Sequence, residues 1–99
     1  YLNNTVVDAR EALSIGLVNQ VVSIEQFEET VTNAAQRLAQ GPTLAYARMK
    51  ELIESSWVAK PAPQLEAEAQ ALAHMGLTAD FREGISAFLE KRPPHFLGR

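Results

Sequence analysis

Glycine and proline interrupt this chain at Gly16, Gly41-Pro42, Pro61, Pro63, Gly76 and Pro93-Pro94, and the stretches between them carry apolar residues at helical spacing. Glycine ends a helix at little conformational cost and proline forbids its continuation, so punctuation at these intervals favours a series of short helices. Leu17-Val18-Asn19-Gln20-Val21-Val22 reads as an extended apolar segment, but one strand cannot make a sheet. It must lie on helices or pair with other chain. The expected class is mainly α, with about five helices and essentially no sheet.

Each helix has its own start and stop signals. Asp8 with Glu11 forms a capping-box variant, Ala9, Ala12 and Leu13 make the apolar side, and Gly16 stops the first helix. Ser23 with Gln26 repeats the motif before Ile24, Phe27, Val31, Ala34, Ala35 and Leu38, which place the second helix at about residues 24–40. After Gly41-Pro42 a third helix over about 43–58 shows Ala45, Met49, Leu52, Ile53 and Trp57 on a broad face, expected to be buried on more than one side. Lys60-Pro61-Ala62-Pro63 reads as a corner outside regular helix. Leu65, Ala69 and Leu72 form the stripe of a fourth helix that stops at Gly76.

The fifth helix opens at Thr78, with Asp80 in its first turn, and should end at or just before Arg92. Phe81, Ile85, Phe88 and Leu89 fall at i, i+4, i+7 and i+8, a single apolar stripe. Glu83, Ser86 and Glu90 occupy the opposite face.

Ninety-nine residues suffice for one small domain, which buries less of its surface than a larger one and so calls for a partner surface. The opening Tyr1-Leu2-Asn3-Asn4, without Met, points to a piece of a longer chain. A net charge of −3 supplies no basic field for nucleic acid or an anionic membrane, so neither is expected as a partner. The absence of cysteine rules out disulfides, thiolate nucleophiles and cysteine metal sites, and fits a cytoplasmic location. No apolar run approaches the roughly 20 residues that span a bilayer.

The residues that carry chemistry are sparse. General acid–base pairs must converge on one reacting atom, yet Glu28 and Glu29 point about 100° apart on a helix and Glu66 and Glu68 about 200° apart. His74 and His95 lack companions at metal-ligand spacing, and neither a phosphate loop nor a Gly-x-Ser-x-Gly elbow occurs. No catalytic residue and no metal site are expected. Gly84, Phe88 and Lys91 lie within about 60° of one another by helical arithmetic, a gap, an aromatic face and an ammonium on one ridge. Such a ridge could stack an adenine on Phe88 and meet a phosphate with Lys91; equally, Phe88 could be core and Lys91 a cation complementing the helix dipole.

Asp80-Phe-Arg-Glu-Gly-Ile-Ser-Ala-Phe-Leu-Glu-Lys-Arg-Pro-Pro-His-Phe96 resembles the C-terminal signature of the crotonase superfamily, the enoyl-CoA hydratases and isomerases. Asp8-Ala-Arg-Glu-Ala-Leu-Ser-Ile-Gly-Leu-Val-Asn-Gln-Val-Val22 resembles a second family segment, and Gly41-Pro42 followed by a helix containing Lys50 resembles the stretch between them. The resemblance implies that residues 1–99 form the C-terminal helical, oligomer-building region of a crotonase-like fold, whose catalytic β-β-α core lies outside them. It further implies an acyl-CoA substrate, no tightly bound cofactor beyond the coenzyme A moiety of that substrate, and a trimer or hexamer. Phe88 and Lys91 match the positions that contribute to the family's CoA site, whereas Tyr1, His95 and Arg99 receive no such role. Enolate chemistry needs oxyanion donors that these residues lack, so the segment alone should be catalytically silent. A helical self-association module without enzymatic activity is the competing expectation. Asn4 stands where relatives commonly carry Gly.

Overall fold

The computed structural model describes residues 4–99 and contains α1 (Ala9–Ser14), α2 (Ile24–Ala39), α3 (Thr43–Ser56), α4 (Pro61–Met75) and α5 (Ala79–Glu90), with no strand among the described residues. Tyr1, for which no role is expected, lies outside the described residues. The chain divides into two compact units after Ala34, and α2 runs across the division.

In the first unit the signals around α1 act as read, whereas at the start of α2 the Gln26 N–H donates to the Ser23 backbone carbonyl at 3.1 Å and not to its side chain. Asn4 takes φ +46°, a left-handed conformation that asparagine tolerates better than most residues. The Asp8 carboxylate accepts the Glu11 N–H at 2.8 Å and caps α1. At the other end Gly16 takes φ +73°, while the Leu17 N–H donates to the Ala12 carbonyl (2.8 Å) and the Gly16 N–H to that of Leu13 (3.1 Å). These are the two bonds of a Schellman turn, and Ala12 is buried beneath it. Leu17–Val22 forms no regular structure. In α2, Ile24, Phe27, Val31 and Leu38 are all at least half exposed.

The second unit rests on the α3–α4 hairpin, the one helix pair among the described residues with extensive packing. Leu52 of α3 is half-buried against an α4 face made by Gln64, Ala67, Ala71 and Met75, spaced i, i+3, i+7 and i+11. Small alanines let the two backbones approach. Gln64 fastens the closed end, donating to the Leu52 carbonyl at 3.2 Å and accepting from Ser55 Oγ at 3.3 Å.

Three expectations change here. Leu65 and Leu72 of the predicted α4 stripe are 65% and 67% exposed, because the packed face lies about 100° around the helix from them. Met49, Ile53 and Trp57 of α3 are likewise exposed, leaving only Ala45 and Leu52 of that broad face half-buried. Pro61 and Pro63 sit inside the first turn of α4, with the corner at Ala59-Lys60. First-turn amides have no intrahelical acceptor, so proline removes nothing from the helix there.

Candidate apolar groove and the end of α5

The Thr78 hydroxyl accepts the Phe81 N–H at 3.1 Å, starting α5 where the capping signal placed it. Its packed face is not the apolar stripe. Asp80 and Ala87 are buried and Glu83 and Gly84 half-buried, whereas Phe81, Ile85, Phe88 and Leu89 are 41%, 48%, 82% and 72% exposed. The residues after α5 cover the first face. They reverse at Pro93-Pro94 and run back along the helix, antiparallel to it.

Carboxylates of α5 hold this return strap. Glu83 takes Nη1 and Nη2 of Arg92 at 2.5 and 3.0 Å, and accepts the His95 backbone N–H at 2.7 Å. Asp80 accepts the Leu97 N–H at 2.7 Å and the Gly98 N–H at 2.9 Å, and its own N–H donates to the Arg99 carbonyl at 3.0 Å. Arg92 and the His95 amide pull the Glu83 carboxyl down to about 2. The sequence places Asp80 in the first turn and Glu83 opposite the stripe without giving either a partner; the signal for one is that both sit at i, i+3 on the side away from the stripe, above a proline reversal. The strap lays Phe96 on Gly84, and at its end Gly98 reaches Thr43 at the start of α3.

The uncovered stripe forms one wall of an apolar groove of about 380 Å³. Asp80, whose carboxylate is taken up by the strap, lines it from α5 with Phe81, Gly84, Ile85, Phe88 and Leu89, Met75 and Thr78 from the α4–α5 corner, Pro42, Leu44 and Ala45 from the start of α3, and Phe96 from the strap. Polar atoms are nearly absent, so the groove offers shape and apolar area, not acid–base chemistry. Gly41, just before it, is buried under the Tyr46 ring, which occupies the place a Cβ would need.

Of the two expected site residues, Phe88 lines the groove and is open to solvent. Lys91 is placed differently from the helical arithmetic. It lies one residue beyond α5 in the left-handed region, φ +55° and ψ +39°, so its Cβ does not continue the step from Gly84 to Phe88. The Lys91 N–H donates to the Phe88 carbonyl (3.3 Å) and the Arg92 N–H to that of Ala87 (3.0 Å), a Schellman turn with lysine where glycine is usual. Holding a side-chain-bearing residue there costs roughly 1–2 kcal/mol. Arg92 is fully committed, pairing Nε with Glu90 at 2.6 Å as well as gripping Glu83, while Lys91 has no ion pair among the described residues.

Elsewhere the acidic pairs stay apart. Glu66 accepts from Gln70 at 2.8 Å and Glu68 from Gln64 at 2.9 Å, each along its own side of α4. His74 lines a separate, more polar hollow with Arg48 and Glu51 between α3 and α4. Among the described residues no three His, Asp or Glu side chains gather as metal ligands would, and no helix is long and apolar enough to cross a membrane.

Comparison with known proteins agrees with the signature at 80–96. The sequence profile of the Enoyl-CoA hydratase/isomerase family matches residues 1–99. A protein of Rhodobacter capsulatus named "Probable enoyl-CoA hydratase" is 44% identical over 94 residues, 94% of this chain and 36% of that protein. The 1,2-epoxyphenylacetyl-CoA isomerase of Escherichia coli is 37% identical over 93 residues, again 94% of this chain and 36% of the relative. Among solved structures, a protein of Mycobacterium abscessus named "putative Enoyl-CoA hydratase/isomerase" superposes with a TM-score of 0.94 at 37% identity, over 100% of this chain and 38% of its own. This chain thus spans a little over a third of the length of the curated relatives it matches. Sequence, helical architecture and superposition agree that the chain belongs to the enoyl-CoA hydratase/isomerase family, as a helical portion of the crotonase fold.

Proposed function

We propose that residues 1–99 are the C-terminal helical domain of an enzyme that acts on acyl-CoA thioesters through an oxyanion-stabilised enolate, and that they supply oligomer contacts and part of its CoA site. One observation carries this reading: in a family member matching about 36% of its relatives' length, the stripe Phe81–Ile85–Phe88–Leu89 is left largely uncovered, and Lys91, just past its end, has no ion pair among the described residues. Burying such side chains is worth about 1.5–3 kcal/mol each, too much to leave in water without a covering surface. Hydratase and isomerase names both occur among the relatives, and both reactions would pass through a thioester enolate.

Within that site Phe88 offers its ring to the adenine and Lys91 its ammonium to a phosphate of coenzyme A, with the copy that uses them being a neighbour in a trimer or hexamer. Catalytic carboxylates and oxyanion donors come from the β-β-α core outside these residues, so the 99-residue chain is silent alone. The direct test is Lys91→Ala in the full-length protein: KM for a CoA thioester should rise about tenfold with kcat within about twofold. An unchanged KM would remove Lys91 from the site.

A further inference from the structure

We propose that Arg92 is a positioning residue for coenzyme A recognition: its links to Glu83 and Glu90 hold Lys91 in its left-handed turn and keep both carboxylates from neutralising the Lys91 ammonium. The inference rests on the reading of Lys91 as a phosphate ligand.

The backbone sets where a side chain leaves it. At φ +55° the Cβ of Lys91 projects differently from a helical continuation, and this turn is where the ammonium's path is chosen. Lysine does not prefer that conformation, so something outside the residue must impose it. The next residue has the means. The Arg92 N–H closes the wider loop of the turn on the Ala87 carbonyl, and its guanidinium grips Glu83 in bidentate fashion, Glu90 through Nε, and the Pro93 carbonyl at 3.2 Å. One planar fork thereby ties the residues before and after Lys91 to the body of α5.

The charge arrangement points the same way. Lys91 and Arg92 are adjacent cations, and two acids of α5, Glu83 and Glu90, are both taken by Arg92. Without Arg92, Glu90, the residue before Lys91, would lose its cation and Glu83 would keep only the His95 N–H, and each freed carboxylate would compete with a phosphate for the Lys91 ammonium.

The test combines Arg92→Ala and the milder Glu83→Gln with Lys91→Ala in the full-length enzyme, using crotonyl-CoA and crotonyl-pantetheine as paired substrates. Arg92→Ala should raise KM for crotonyl-CoA about five- to tenfold and leave KM for crotonyl-pantetheine, which lacks the nucleotide phosphates, within about twofold. In the Lys91→Ala background the same change should have almost no further effect, since the residue it serves is gone. Glu83→Gln should reproduce a smaller version of the pattern. Equal losses on both substrates, or the same factor with and without Lys91, would overturn the positioning role and leave Arg92 a structural tie. If Lys91→Ala itself spares KM, the phosphate-ligand reading fails instead.

Discussion

The carboxylate of Asp80, in the first turn of α5, binds the backbone N–H of Leu97 at 2.7 Å across seventeen residues of chain. With the Gly98 N–H on its second oxygen, Asp80 is the pin that fixes the far end of the return strap. It is also the one buried charged side chain among the described residues. Both oxygens are used, so its burial is compensated.

Replacing Asp80 by Ala strands two amides under the strap and should cost roughly 1.5–3 kcal/mol of strap stability. Asn, with one carbonyl oxygen, should restore part of it. Hydrogen exchange at Leu97 and Gly98 reads this directly: both amides should lose protection in Asp80→Ala, and retained protection would show that apolar contacts of Phe96 hold the strap instead.

Two glycines with left-handed backbones should respond differently to alanine. Gly16 faces open space, so Gly16→Ala should cost only the conformational penalty of about 1 kcal/mol. A Cβ on Gly98 would lie 2.5 Å from Thr43 Oγ1, so Gly98→Ala adds a clash and should release the strap end from α3. Amide exchange at Leu97 and Gly98 should respond to the second change and not the first.

At Lys91, stability and binding should move in opposite directions. Lys91→Gly relieves the left-handed conformation and should stabilise the end of α5 by up to about 1 kcal/mol, while raising KM for a CoA thioester as Lys91→Ala does. Lys91→Val should lose on both counts. Denaturation midpoints and KM measured on the same variants separate the effects.

Acid should loosen the middle of the strap late. Glu83 ionises at about 2 in the folded chain against an ordinary value of 4.5, so its contribution is fully present above about pH 4.5 and lost as pH falls through about 2. The stability difference between the parent and Glu83→Gln should therefore stay constant from neutrality to about pH 5 and close between 4.5 and 2. A difference that closed near pH 7 would implicate another group.

Helix number, stops and all but one cap were legible in the sequence because they depend on neighbours within one turn: Asp8 with Glu11, Gly16, and Thr78 with Phe81 behave as their local chemistry dictates, while Ser23 meets Gln26 only through its backbone carbonyl. The faces were not. Periodicity marks Phe81, Ile85, Phe88 and Leu89 as the stripe that wants cover, but it cannot name what supplies the cover. Within this chain α5 turns Asp80, Glu83, Gly84 and Ala87 to the strap and α4 turns Gln64, Ala67 and Ala71 to α3. Small and polar faces serve internal packing, and the large apolar ones stay outward. For the same reason Phe88 was found on its groove, whereas the direction of Lys91, set by a left-handed turn, escaped helical arithmetic.

The hydrodynamics of the 99-residue chain test this outward display most directly. Sedimentation velocity over a wide concentration range, with a solvatochromic apolar dye as companion probe, should reveal self-association and dye binding, both reduced by Phe88→Ser with Leu89→Ser. A monomer at every concentration that binds no dye would contradict it, because the α5 stripe would then have found its cover within the chain.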